Sequence, residues 1–421
     1  EEEVTRRTIM RYYKRKNPML IREMIRNVYK ECKGVPKSNG LTKEQRLSLQ
    51  MDEFMNRRYE FRYNTQIGEV EYRERFSFQF YFHSIDKRAQ NSIMLDAQSE
   101  GIGVWDRDID RYLHSNRVPI YNPLEEFLFH LPHWDGKDRI HALANRVPCK
   151  NPHWELLFHR WFLNMVSHWR GIDKMHANNT SPILVGRQGT HKSTFCREMI
   201  PPALRAYYTD SIDFSHKRDA ELYLNRFALI NIDEFDQITL PQQGFLKHIL
   251  QKPVVNLRKP HGRSVLELQR YASFIGTSNQ KDLLTDPSGS RRFICIEVTG
   301  NIDTTQPIDY EQLYAQAMHE IHHGERYWFD SEDEQIMTEN NREFEQTPAM
   351  LQLFYQYFKT AQTKEEGEFL TPVEILNYLK KKSGMSLSDN KVYHFGRLLQ
   401  KCGIPSKHTY KGTVYQVIKL S

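Results

Sequence analysis

The stretch Ser181-Pro182-Ile183-Leu184-Val185-Gly186-Arg187-Gln188-Gly189-Thr190-His191-Lys192-Ser193-Thr194 constrains this chain more than any other. An apolar strand runs into a glycine-containing loop, then Lys-Ser, then a helical pattern. A buried strand of this kind needs a parallel sheet around it and helices over it. The loop has its own requirement. Successive backbone N–H groups must turn inward around an anion, and glycines permit that path. The helix N-terminus adds a dipole that favours phosphate. In this reading Gly186, Arg187, Gln188, Gly189, Thr190, His191, Lys192, Ser193 and Thr194 bind a nucleotide. Lys192 reaches the β- and γ-phosphates, and the Ser193 hydroxyl ligates Mg²⁺. The spacing departs from GxxxxGK[ST]: His191 stands where the last glycine is expected, and Gly189 comes two positions earlier. A plain glycine turn between strand and helix is the competing reading.

Further apolar strands are expected at 227–232, 272–276 and 293–298, with helical patterns between them. That alternation points to an α/β layer with a largely parallel sheet. The second strand runs into Asp233-Glu234. Carboxylates at the C-terminal end of such a strand lie where α/β ligands bind. Asp233 would hold Mg²⁺, directly or through water, and Glu234 would orient and polarise an attacking water. The strand Phe274-Ile275-Gly276-Thr277-Ser278 ends on Asn279, which would position that water or sense the γ-phosphate; a strand-ending cap is the alternative. Arg291 and Arg292 precede the last strand. One of them could act as an arginine finger on a neighbouring subunit's nucleotide. Between carboxylates and Asn279, two β-like segments flank a turn whose tip presents Arg258, Lys259, His261 and Arg263. Such a hairpin would touch phosphates, with salt-sensitive and sequence-tolerant binding, unless it is simply a solvated surface hairpin.

With 421 residues, two to four domains are expected. The N-terminal region, 1–150, reads as mostly helical with a short hairpin at 59–72, for oligomerisation or DNA contact. The P-loop ATPase domain covers 151–330. Residues 331–421 read as an acidic linker or exposed helix followed by two helices, 372–382 and 391–402, and a hairpin around Lys411-Gly412. Two helices and a hairpin fit a winged-helix-like module. Three Trp in the helix leading into the central domain, Trp154, Trp161 and Trp169, are expected in the core.

Hydrophobic residues make up 39% and charged residues 27%, which excludes a disordered chain. No run of about 18 apolar residues occurs, so no membrane span is expected. The chain opens Glu-Glu-Glu without an initiating Met or an apolar signal core. It reads as a piece of a longer, cytoplasmic protein. The five Cys fall into no CxxC or zinc-knuckle spacing and read as reduced thiols. Net charge is +6, with basic ends flanking a balanced middle, and the last 50 residues carry nine Lys and Arg against Glu374 and Asp389. That pattern fits contact with nucleic acid, or else solvated helix faces.

Taken in order, Gly-Arg-Gln-Gly-Thr-His-Lys-Ser, the Ile-Asp-Glu strand end, Arg-Lys-Pro-His-Gly-Arg, Gly-Thr-Ser-Asn and Ser-Arg-Arg-Phe resemble the virulence-associated protein E family, related to superfamily 3 helicases. The resemblance is good over 123–330 and looser outside. That family's loop also tends to read Gly-x-Gln-Gly-x-x-Lys-Ser, which accounts for the displaced glycine. The resemblance implies an AAA+-type P-loop core, ATP and Mg²⁺ as cofactors, and a homo-hexameric ring moving on single-stranded or forked DNA. It also implies a primase domain or partner, in the replication of phages or mobile elements. His261 departs from the aromatic residue expected after Arg-x-Pro. A nucleic-acid-binding ATPase switch or defence protein that does not unwind remains the alternative, and a small-molecule kinase a third reading.

Overall fold

The computed structural model describes residues 41–78, 80–171, 176–257, 266–284, 287–346, 349–361, 367–384, 392–410 and 412–420. The first 40 residues of the region read as mostly helical lie outside them. The chain forms two compact units, Glu1–Asn122 and Pro123–Ser421.

In the first unit, α1 (Lys43–Arg58) begins at Thr42, whose hydroxyl accepts from the Gln45 N–H while the Gln45 side chain accepts from the Thr42 N–H. This reciprocal box satisfies two of the N–H groups that a helix start leaves open. The expected hairpin is β1 (Tyr59–Asn64) with β2 (Glu69–Glu74). Two-residue strands β3 (His83–Ser84) and β4 (Ile120–Tyr121) extend it to a four-stranded sheet, order β3-β2-β1-β4. Helices α2 (Lys87–Ser99) and α3 (Asp106–Leu113) complete a core that includes Phe54, Phe61, Ile93 and Tyr112. The expected helices and hairpin are thus both present, with the hairpin enlarged to a four-stranded sheet.

The second unit opens with α4 (Pro123–Phe129), α5 (Arg139–Ala144) and α6 (Trp154–Arg170). Sequence analysis places residues up to 150 with the N-terminal region, but α4 and α5 pack on α6. The reason is apolar: Leu124, Leu128, Ile140 and Leu143 are buried here. Trp154, Trp161 and Trp169 are core residues of α6, as expected.

Next come β5 (Ser181–Val185), α7 (Lys192–Glu198), β6 (Tyr208–Thr209), α8 (Lys217–Arg226), β7 (Leu229–Ile232) and α9 (Leu240–Leu250). They are followed by β8 (Val254–Leu257), β9 (Leu266–Gln269), β10 (Ser273–Ser278), β11 (Phe293–Glu297), α10 (Tyr310–His322) and α11 (Ser331–Asn341). The main sheet is all parallel, order β11-β5-β10-β7-β6. Every residue of β5, β7 and β10 is buried. Strands covered on both faces read as continuous apolar runs, which is why the pattern found them. The order has one consequence for the site. Although β10 comes last of the three in sequence, it lies between β5 and β7, so the C-terminal ends of all three are neighbours. The base of the expected hairpin is present, β8 pairing antiparallel with β9 from Val254↔Gln269 to Leu257↔Leu266. Its tip residues Arg258, Lys259, His261 and Arg263 lie outside the described residues.

The acidic stretch read as linker or exposed helix contains α11, which is docked rather than free. Asn341 is fully buried and donates to the Ser290 and Phe293 carbonyls, both at 2.7 Å. Asp333, also buried, takes both Arg160 and Arg326. Beyond it, α12 (Ala349–Tyr357), β12 (Phe358–Thr360), β13 (Glu368–Leu370), α13 (Pro372–Ser383), α14 (Val392–Lys401), β14 (Ser406–Thr409) and β15 (Gly412–Lys419) form a smaller cluster. β15 pairs antiparallel with β12, β13 and β14. Phe354, Ile375, Leu379, Phe395 and Leu399 from the helices pack on Tyr415 and Val417 of β15. Both expected helices and the hairpin are here; the two short strands before α13 are additions. Among the described residues, no helix is long and apolar enough to cross a membrane.

Candidate functional site

The loop after β5 is fastened at its first residue. The Gly186 N–H donates to the Ser278 carbonyl at 3.0 Å, joining it to the end of β10. A Cβ at Gly186 would meet the Val298 carbonyl oxygen at 3.1 Å, so the close approach favours glycine. Gly189 has φ +83° and His191 φ +64°, so the chain enters the left-handed region twice within three residues. Such alternation is the backbone form that lets successive N–H groups turn toward one concavity. The backbone path that the motif asks of a glycine at 191 is thus taken by a histidine. Within the loop the Thr190 hydroxyl donates to the Arg187 carbonyl at 2.9 Å, and the Thr190 carbonyl accepts from the Ile302 N–H at 3.1 Å. Arg187, Gln188, His191, Ser193 and Thr194 are exposed.

Lys192 opens α7 and is 6% exposed. Its ammonium donates to the Gly186 and Arg187 carbonyls, each at 2.8 Å, and to Asn279 Oδ1 at 3.2 Å. Burial pushes its pKa below the ordinary lysine value, while the charge of Asp233 pulls the other way. Among the described residues its hydrogen-bond acceptors are neutral oxygens, so no carboxylate pairs directly with the ammonium and its charge is available to an anionic partner.

Asp233 follows β7. Its Oδ1 accepts from Ser193 Oγ at 3.0 Å and from the Thr277 hydroxyl. Asp236, one turn on, accepts from Ser278 Oγ at 2.8 Å and from the Asn279 N–H at 3.4 Å. The turn after β7 is therefore tied to the end of β10 at two carboxylates. Glu234 stands between them, exposed, with φ +51°. Among the described residues, His191 and Glu234 are the two non-glycine residues with positive φ. Backbone strain of this kind costs roughly 1–3 kcal/mol per residue and concentrates where a site over-determines it.

Ser193 Oγ and Asp233 Oδ1 are hard oxygen donors, the class that Mg²⁺ takes. Their 3.0 Å separation matches adjacent ligands on an octahedral ion with bonds of about 2.1 Å, so the residues fit that ion. Arg291 and Arg292 close the 3-10 turn Pro287–Arg292 that leads into β11, the edge strand beside β5. Arg291 donates to Glu334 of α11 at 3.0 Å, and Arg292 is half-buried. Lys192, Ser193, Asp233 and Asn279 are thus brought together, and Arg291 is engaged elsewhere. Sequence reasoning missed Thr277, Ser278 and Asp236. The Thr-Ser before Asn279 and the Asp three residues after Asp233 were signals, but only the strand order gives them meaning.

Fold and site together define a parallel α/β protein in which a glycine-containing strand-to-helix loop lies beside the turn at 233–236 and the polar end of β10. The chain belongs to the virulence-associated protein E-like domain family, whose profile matches residues 128–346, just over half of its length. Residues 347–417 match a second profile, described as a domain of unknown function from a B. Theta gene. No curated protein matches the chain. Among solved structures, it is similar to the A form apo structure of the NrS-1 C terminal region at 11% identity, covering 88% of this chain and 98% of that one, with a TM-score of 0.45. A further apo structure of that region matches at 12% identity, covering 90% and 100%, with a TM-score of 0.45.

Proposed function

We propose that this chain is an ATP-dependent DNA helicase of the superfamily 3 type, with an AAA+-like core and a winged-helix-like C-terminal domain, acting in the replication of a phage or mobile element. The observation that carries the reading is the convergence of Lys192, Ser193, Asp233 and Asn279 where β5, β7 and β10 end side by side. In this reading Lys192 offers its charge to the β- and γ-phosphates, and the loop from Gly186 to Thr194 wraps them with N–H groups. Ser193 and Asp233 hold Mg²⁺, which would neutralise charge on the transferred phosphoryl group. Glu234 orients the attacking water and accepts its proton, and Asn279 fixes that water relative to Lys192. Arg291 or Arg292 serves a neighbouring subunit of a homo-hexamer, and the hairpin bearing Arg258, Lys259, His261 and Arg263 follows single-stranded or forked DNA. A primase domain or partner protein would supply the primers.

The test is ATP hydrolysis with and without single-stranded DNA, unwinding of a forked duplex, and mass by light scattering with ATP and DNA present. Hydrolysis stimulated by DNA, unwinding and a six-fold mass are the expected results. Stimulated hydrolysis without unwinding would favour a nucleic-acid-binding ATPase switch. Absence of hydrolysis, or a stable monomer under all conditions, would overturn the proposal.

A further inference from the structure

Arg270 lies in the short link between β9 and β10, and its side chain is 1% exposed. Among the described residues, every acceptor it uses is a backbone carbonyl. Nε donates to Ala272 at 2.9 Å. One terminal nitrogen donates to Ile249 at 3.3 Å, Leu250 at 2.7 Å and Lys252 at 2.8 Å. The other donates to Asn178 at 2.9 Å. Burial pulls its pKa below the ordinary guanidinium value. Taking a charge out of water remains costly even after relaxation. The C-terminal carbonyls of α9 and their dipole offset part of that cost. Closing a helix end does not require it, however, since glycine, asparagine or water does so without burying a charge.

The guanidinium differs from those in its rigid fork, which spans several partners at once. It joins three chain segments here, and each leads to the candidate site. The α9 helix starts just after Asp233, Glu234 and Asp236 and ends on Arg270. Asn178 precedes β5, which runs into the loop at Gly186. The link containing Arg270 continues into β10, which ends at Thr277, Ser278 and Asn279. On its other side the same link is the second leg of the hairpin. That leg is clamped as well: Asn225 of α8 donates to the Gln269 carbonyl at 2.8 Å, and the Tyr271 and Ala272 N–H groups both donate to Leu224. A shift of β9 therefore cannot be absorbed by slack in the link. Arg270, bonded to the end of α9, to Asn178 ahead of β5 and to Ala272 ahead of β10, is placed to pass such a shift to all three.

We infer that Arg270 is a positioning residue that couples the state of the β8–β9 hairpin to the hydrolytic groups, an inference that rests on the helicase reading above. It touches neither nucleotide nor DNA. Its role is to make three elements move as one when a strand occupies the hairpin.

The experiment uses the full chain, Arg270→Lys, and a single-stranded oligo-dT as the probe. A lysine carries the charge but reaches one of the three segments rather than all of them. Expected for Arg270→Lys are a basal ATPase rate and KM for ATP within twofold of wild type, an oligo-dT Kd within threefold, and a stimulation factor reduced at least fivefold. Stimulation equal to wild type overturns the inference. So does a fall in basal and stimulated rates by the same factor, which is what a merely structural role would give. Hydrogen exchange on the wild-type protein keeps the test alive if the variant does not fold. Oligo-dT is expected to slow exchange at residues 249–252 and 178–181 along with 266–272, and unchanged exchange at the first two overturns the coupling. If wild type binds no oligo-dT and shows no stimulation, the helicase reading itself fails, and that outcome is visible before any variant is made.

Discussion

Asn279 Oδ1 accepts from the Lys192 ammonium at 3.2 Å, and that contact turns one position into two different experiments. Asn279→Asp keeps the shape and adds a charge. Two opposite unit charges 3.2 Å apart attract by about 5 kcal/mol at an effective dielectric of about 20. Lys192 is buried but Asn279 is exposed, so solvent screens the pair and about 2–3 kcal/mol is the working figure. The new carboxylate would hold the ammonium back from the phosphates and would repel them as well. The Kd for ATP should therefore rise by about 30- to 150-fold. Asn279→Ala removes the acceptor and leaves Lys192 free. Affinity for ATP should stay within about threefold of wild type, while turnover falls by about 10²–10³, the loss typical of removing one positioned polar group. Titration with a fluorescent ATP analogue gives Kd, and steady-state phosphate release gives kcat. The reasoning is refuted if the Asp variant binds as wild type does, or if the Ala variant loses as much affinity as the Asp variant.

Other outcomes follow from the same geometry. His191→Gly relieves a left-handed residue and should stabilise by about 1 kcal/mol, whereas His191→Val should cost about 1–2 kcal/mol, because a branched side chain tolerates that φ poorly. Thermal melting checks the order Gly above His above Val, and a lower Tm for Gly would show that His191 is held by something other than backbone need. Glu234→Gln keeps ATP binding while hydrolysis drops at least 100-fold in rapid-quench assays, if Glu234 handles the attacking water. Lys259→Ala should weaken oligo-dT binding for all sequences alike and lower the slope of log K against log salt by about 1; an unchanged slope removes the hairpin from the DNA interface. Asp333→Ala strands Arg160 and Arg326 without their buried carboxylate and should cost about 3–5 kcal/mol in urea unfolding with the ATPase parameters little changed.

Legibility in the sequence followed the range of the interaction. The strands at 181–185 and 293–297 were read nearly to the residue, because burial on both faces leaves an unbroken apolar run. β6, β3 and β4, each two residues long, carry no such pattern and exist only because a longer strand lies beside them. The boundary near 150 was misplaced for a related reason: α4 and α5 look like any amphipathic helices, and nothing local says that α6 is their partner. Charge misled at α11. Three acidic residues in its first turn read as solvated, yet Asp333 among them is buried against two arginines.

The site divides along the same line. Lys192, Asp233 and Asn279, which the structure brings together, stand out in the sequence because each follows an apolar strand at a chemically telling spacing. Thr277, Ser278 and Asp236 were not, because their roles depend on β10 lying between β5 and β7, a pairing between strands about 40 residues apart or more. The displaced glycine belongs to both groups. Spacing marked His191 as a defect, but the loop needs a positive φ at 191 whichever residue stands there, and histidine is among the side chains that accept it. What the motif encodes is a backbone path held at both ends, by Ser278 at Gly186 and by the start of α7 at Lys192. With the ends fixed, one strained residue between them is tolerated. Ser278→Pro, which fixes the backbone of the strand end that holds Gly186 and removes the hydroxyl that donates to Asp236, should therefore raise the Kd for ATP more than His191→Gly does, and equal Kd values would refute the argument.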